Sequence, residues 1–187
     1  MPFVIVPGID GSDHDHWQSH WEADWLPDAT RIEPSSWTAP LFSEWTEALT
    51  TAIDQTGPDV VLIAHSLGCL TAAQWLSANP GSAVRGAFLV APPDELASTF
   101  PHELLQTFTG SEPGPLGVPG VLVVSDNDPY CTVDAATRLA AGWAVPLITA
   151  GKLGHINSDS NLGVWPQGQD LLTAFLAGLG CNAFGPS

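Results

Sequence analysis

Short apolar runs, many of them β-branched, alternate along the chain with segments whose apolar positions recur at helical spacing. No repeat, linker or low-complexity block interrupts the alternation. Phe3 to Val6, Thr30 to Glu33, Val60 to Ala64, Val84 to Ala91, Val121 to Ser125 and Val145 to Thr149 are expected to be strands. Several of these are apolar throughout, as strands covered on both faces are. From Glu44 to Ile53, residues Trp45, Ala48, Leu49, Ala52 and Ile53 fall at i, i+3, i+4, i+7 and i+8, which predicts a helix with one apolar stripe. Ser43 stands where that helix would be capped. A last helix carries Leu171, Leu172, Phe175, Leu176 and Leu179, with Gly180 placed as a left-handed terminator. Repeated βα units over 187 residues predict a single α/β domain spanning residues 1–187, with a mainly parallel sheet. The Pro- and Gly-rich stretch from Glu112 to Gly120 is read as a surface loop, because a linker there would leave a sheet edge unpaired.

Hydrophobic residues make up 44% of the chain, enough to build a core and to exclude general disorder. Twenty acidic residues face only four basic ones, Arg31, Arg85, Arg138 and Lys152, for a net charge of −16. These four are scattered singly, so neither a nucleic-acid backbone nor an anionic membrane finds the basic cluster it needs. Cys69, Cys131 and Cys181 are odd in number and lack metal-ligand spacing, which argues against a disulfide framework. The start has no basic n-region, and its apolar stretch is too short for a signal peptide or a membrane span. These features predict a soluble, cytoplasmic protein; they leave its oligomeric state open.

The candidate chemistry begins at Ala64-His65-Ser66-Leu67-Gly68, which lies between the third expected strand and the following helix. A strand, a sharp turn around serine and a helix, with small residues two before and two after, is the arrangement that exposes a serine oxygen at a nucleophile elbow. Ala64 stands where the common pattern has Gly, and it remains small enough for strand and helix to pack closely. The competing reading is an ordinary helix N-cap. A serine nucleophile needs a base, and the base needs an acid to hold its tautomer. The fifth strand runs into Ser125-Asp126-Asn127-Asp128-Pro129, two carboxylates at the strand end where open α/β sheets keep their sites. Asp128 is the preferred acid, at the fourth position of a Ser-x-x-Asp turn fixed by Pro129; both aspartates could instead be turn residues. Of six histidines, only His155 follows both candidate acids, completing the order Ser, Asp, His. The expected oxyanion donors are the backbone N–H groups of Leu67 and Ile9, with Asp10 as the alternative to Ile9.

These residues resemble the small serine hydrolases that include retinoblastoma-binding protein nine and bacterial YdeN-like proteins. The resemblance runs through Val6-Pro7-Gly8 with Ser12, His16-Trp17-Gln18, His65-Ser66-Leu67-Gly68-Cys69, Asn127-Asp128-Pro129-Tyr130, Gly154-His155-Ile156-Asn157 and Gly163-x-Trp165-Pro166-x-Gly168. It implies an α/β-hydrolase-type three-layer sandwich without a lid domain, strand order 2-1-3-4-5-6, and a Ser66, Asp128 and His155 triad with hydrolase activity; no cofactor is expected. The Leu-x-Cys-x-Glu motif that docks the retinoblastoma protein is absent, since Thr71 occupies its fifth position.

The expected activity is hydrolysis of small carboxylic esters through an acyl-enzyme; thioesters and amides would use the same residues. The alternative from another class is an interaction module that keeps the fold with little turnover. A flavodoxin-like cofactor binder is disfavoured because no phosphate-cradling glycine pattern follows the first strand. His65 and Trp165 are candidate pocket residues. His16 and His20 would stand at i, i+4 on a helix, but no metalloprotease-type glutamate accompanies them, so no metal is expected. Trp17, Trp21 and Trp25 form a four-residue aromatic stripe, read as packing rather than as a substrate wall. Cys69 and Cys131 are expected to pack as small buried residues.

Overall fold

A computed structural model describes residues 1–110 and 112–180. Its strands are β1 (Phe3–Val6), β2 (Thr30–Arg31), β3 (Val60–His65), β4 (Val84–Val90), β5 (Gly120–Val124) and β6 (Leu147–Thr149). They form one sheet in the order β2-β1-β3-β4-β5-β6, every neighbouring pair parallel. The helices are α1 (Trp17–Asp24), α2 (Phe42–Thr56), α3 (Leu67–Ala78), α4 (His102–Leu105), α5 (Val133–Trp143) and α6 (Pro166–Gly178).

Alternation along each strand decides which helix lies on which face. Val4, Val6, Leu62, Ala64, Leu89 and Leu122 point into one core with Trp45 and Leu49 of α2, Leu76 of α3 and Leu139 of α5. Ile5, Val61, Ile63, Phe88, Val90 and Val123 point into the other with Trp17 and Trp21 of α1 and Leu172 and Leu176 of α6. The molecule is therefore an α/β sandwich of three layers with no lid domain. Its reversal of strand order beside β1 and β3 leaves a crevice at the strands' C-terminal ends, where loops from several units converge. Among the described residues, no helix is long and apolar enough to cross a membrane.

Several element ends differ from the sequence reading. β2 stops at Arg31 rather than Glu33, although the Ile32 N–H still donates to the Ile5 carbonyl at 3.1 Å. Glu33 is exposed and Pro34 follows, so the run has no partner beyond that point. β6 begins at Leu147 rather than Val145 because Ala144 turns left-handed (φ 57°) to end α5 and Val145 bonds back to Ala140. β4 stops one residue before Ala91, whose φ is 49°, and β5 is shifted by one at each end.

Helix α2 is longer than expected, and Ser43 lies inside it rather than capping it. Leu41 is the N-cap, and the Thr107 hydroxyl accepts from the Phe42 N–H at 3.2 Å, so the cap is supplied by a distant segment. Gly180 adopts the expected left-handed conformation, φ 75°.

Candidate active site

Ser66 sits where β3 must reverse into α3, and its backbone is held at φ 53° and ψ −126°. A serine adopts such angles only when its surroundings compel it, and residues strained in this way cluster at functional sites. The compulsion is visible on both sides. The Ser66 N–H donates to the Val90 carbonyl at 3.0 Å, and the Ser66 carbonyl accepts from Cys69 at 2.9 Å. A Cβ on Gly68 would lie 2.2 Å from the Val6 carbonyl oxygen and 2.5 Å from that of Pro7, and one on Gly8 would lie 2.7 Å from the Ser66 Cβ. The small residues thus let β1, β3 and α3 close around the turn. Gly68→Ala is expected to cost about 2–3 kcal/mol, because backbone atoms rather than a flexible side chain must move; a urea midpoint equal to that of the wild type would contradict this packing.

Although Ser66 occupies the N-cap of α3, its side chain makes no capping bond. The hydroxyl instead lies 2.9 Å from His155 Nε2. On the other side of that ring, Nδ1 is 2.9 Å and 3.0 Å from the two carboxylate oxygens of Asp128. A carboxylate only accepts, so Nδ1 carries the proton and Nε2 is left bare to receive the Ser66 hydroxyl. Asp128 is itself fixed, its Oδ1 accepting the Tyr130 N–H at 2.9 Å, and only 1% of its side chain is exposed. Asp126, the other candidate acid, is exposed, and its N–H serves the Gly151 carbonyl. The three side chains picked from the sequence are therefore the three that meet.

Two further residues join the acid loop to the histidine loop. The Ser125 hydroxyl accepts from the Leu153 N–H and donates to Asn127 Oδ1, both at 2.9 Å, and Asn127 Oδ1 accepts from the Gly154 N–H at 2.9 Å. The sequence reading passed over this pair; its signal is a Ser-x-Asn at a strand end, short polar side chains able to satisfy the amides of a neighbouring loop.

Of the two alternatives beside Leu67, the Asp10 N–H is already committed to the Trp37 carbonyl at 3.2 Å. Among the described residues, neither the Ile9 nor the Leu67 N–H is engaged by another carbonyl.

The cavity over Ser66 has a volume of about 490 Å³. Ile9 and Leu67 line it on one side, and Pro93, Pro101 and Leu105 from the β4–β5 connection supply an apolar wall.

Trp165, a candidate pocket residue, is instead buried at the start of α6. Its ring packs against Trp17 at 5.2 Å and stacks on Trp21 at 6.0 Å, and it does not line the cavity. Gly168 makes the room, since a Cβ there would lie 2.1 Å from the Trp165 ring. Trp17 and Trp21 are core residues, and Trp17 also donates to the Ile156 carbonyl at 2.9 Å.

His65 borders the cavity but is almost wholly buried, with Nε2 3.0 Å from the His155 carbonyl. His16 caps α1, its Nδ1 accepting the Gln18 N–H at 3.1 Å, so that nitrogen is not free for a metal. Burial, with the nearby Arg31 charge, pushes the His16 pKa down to about 3, and burial lowers that of His65 well below the ordinary histidine value. Among the described residues, no group of three His, Cys, Asp or Glu is placed to hold a metal ion. Cys69 and Cys131 are buried free thiols; burial raises the pKa of both, that of Cys131 to about 12, so they are poor nucleophiles. Cys181 lies outside the described residues.

Residues 3–174 match the model of a family described as serine hydrolase. A YdeN-like hydrolase of Pectobacterium atrosepticum shares 31% identity at a TM-score of 0.83, over 95% of this chain and 91% of that one. The chain belongs to the serine hydrolase family. The YdeN product of B. subtilis is 21% identical to this hydrolase at a TM-score of 0.80, over 94% and 98% of the two chains. Est1E of Butyrivibrio proteoclasticus, solved with ferulic acid bound, shares the fold at 12% identity and a TM-score of 0.70, over 94% and 89%. No curated protein matches the sequence significantly.

Proposed function

We propose that this serine hydrolase cleaves small carboxylic esters through an acyl-enzyme on Ser66. His155 Nε2 takes the hydroxyl proton as Ser66 Oγ bonds to the ester carbonyl carbon, and the carbonyl electrons move onto its oxygen. When the tetrahedral species collapses, the bond to the alkoxide breaks and His155 returns its proton to the leaving oxygen. Water then repeats the sequence on the acyl-Ser66 ester, with His155 as base, and releases the carboxylic acid and the free hydroxyl. Asp128 holds the Nδ1–H tautomer and stabilises the imidazolium formed in each half-reaction. The N–H groups of Leu67 and Ile9 are the proposed donors to the oxyanion; losing one such donor typically costs about 3 kcal/mol in the transition state.

The observation that carries this reading is the unbroken chain from Ser66 Oγ through the His155 ring to Asp128, at 2.9 Å on each side of the ring. It supports a hydroxyl made reactive rather than one used as a cap. The cavity of about 490 Å³ has room for both the acyl and the alkoxy part of an ester. An ester is preferred to an amide because its alkoxide leaves more readily. The test is turnover of p-nitrophenyl esters of increasing chain length by the wild type and Ser66→Ala. Short esters should be hydrolysed, with kcat for Ser66→Ala lower by at least about 10⁴-fold. Equal turnover by the two proteins would leave the fold and remove the proposed chemistry.

A further inference from the structure

His155 sits on a backbone that does not choose its own shape. Gly154 before it has φ 61°, and Ile156 after it has φ 51°. A left-handed β-branched residue is a conformational outlier, so neighbouring contacts must hold it. On the upstream side, Ser125 and Asn127 bind the N–H groups of Leu153 and Gly154. On the downstream side, the Trp17 indole N–H holds the Ile156 carbonyl. Between them, the carbonyl of His155 itself is met by His65 Nε2 at 3.0 Å. A carbonyl only accepts, so His65 carries its proton on Nε2.

His65 is well placed to keep that bond. It is the last residue of β3 and the immediate neighbour of Ser66, so one rigid strand end presents both the hydroxyl and the donor that anchors its base. Its ring lies edge-on to His16 at 4.7 Å and is tilted against His155 at 5.1 Å. His16 is in turn fixed as the cap of α1. The geometry points to His65, which borders the cavity, as a positioning residue: through its Nε2–H it fixes the His155 main chain so that the imidazole reaches Ser66. This inference rests on the Ser66, His155 and Asp128 reading above.

His65→Phe keeps an aromatic ring, though a larger one, and removes the donor, whereas His65→Gln places an amide N–H close to the position of Nε2. His65→Phe is expected to lower kcat on a p-nitrophenyl ester by about 10- to 100-fold with KM within about twofold, the loss typical of a small misplacement of a reacting group. His65→Gln should recover most of that loss. His65→Leu carries the same expectation as Phe if the larger ring does not fold. Wild-type kcat in the donorless variant, a change in KM alone, or equal impairment of the Gln and donorless variants would overturn the inference. Ser66→Ala is assayed in parallel. If it retains turnover, the reading of the site itself is wrong; if it is inactive while His65→Phe is fully active, only the positioning role is lost.

Discussion

Asp128→Asn is expected to lower kcat by about four orders of magnitude while moving the thermal midpoint by only a few degrees. The asparagine oxygen can still accept the Tyr130 N–H that Asp128 Oδ1 accepts at 2.9 Å, so the turn survives. The amide NH₂ would face His155 Nδ1, however, and would be met by a bare nitrogen, sending the ring proton to Nε2. That atom is 2.9 Å from Ser66 Oγ and could no longer receive its proton. The charge that stabilises the imidazolium is also gone. Steady-state kinetics beside a thermal melt separate the two effects. A tenfold loss or less would mean that Asp128 is a turn residue and that another group sets the tautomer.

Mild acid should destabilise the folded protein through two histidines that take no part in proton transfer. In the unfolded chain, His16 and His65 would titrate near pH 6.5. In the folded protein His16 takes a proton only at about pH 3, and His65 also well below its ordinary value, because both are buried. Between these limits the unfolded state binds protons that the folded state does not, so stability falls as pH falls. Each fully shifted group contributes a slope of about 1.4 kcal/mol per pH unit, so His16 alone should cost about 2 kcal/mol between pH 6.5 and 5.

The chain's net charge of −16 works in the opposite direction once carboxylates begin to protonate, which is why the comparison stops at pH 5. His16→Asn isolates the effect, since its oxygen can still cap α1 but does not titrate. Urea unfolding at several pH values should give a slope for His16→Asn that is shallower by about half. Parallel slopes would contradict the burial of a neutral His16.

The sheet and its layers were legible because they depend on the spacing of apolar residues, and the strand order came with the resemblance to the small serine hydrolases. The element ends were less so. β6 lost two residues to the left-handed closure of α5 at Ala144, and α2 is capped by Thr107, 65 residues away in sequence. No local pattern encodes either event.

The site divides in the same way. Ser66, Asp128 and His155 could be read from their order and strand-end positions, and they meet within hydrogen-bond distance. The clamp made by Ser125 and Asn127, and the hold of His65 on the His155 carbonyl, could not, because they join loops whose closeness exists only once the sheet has formed. Trp165 shows the converse. Its position shortly after His155 in the sequence suggested the pocket, but the left-handed residues Ile156 and Trp165 turn the chain down into the Trp17 and Trp21 core.

The most direct measurement is to treat the protein with a fluorophosphonate, weigh it intact and map the modified peptide. The expected result is one phosphonyl group per chain, carried on Ser66, and no adduct on Ser66→Ala. A wild-type protein that stays unmodified, or an adduct that persists undiminished in Ser66→Ala, would contradict a nucleophilic Ser66 and with it the acyl-enzyme.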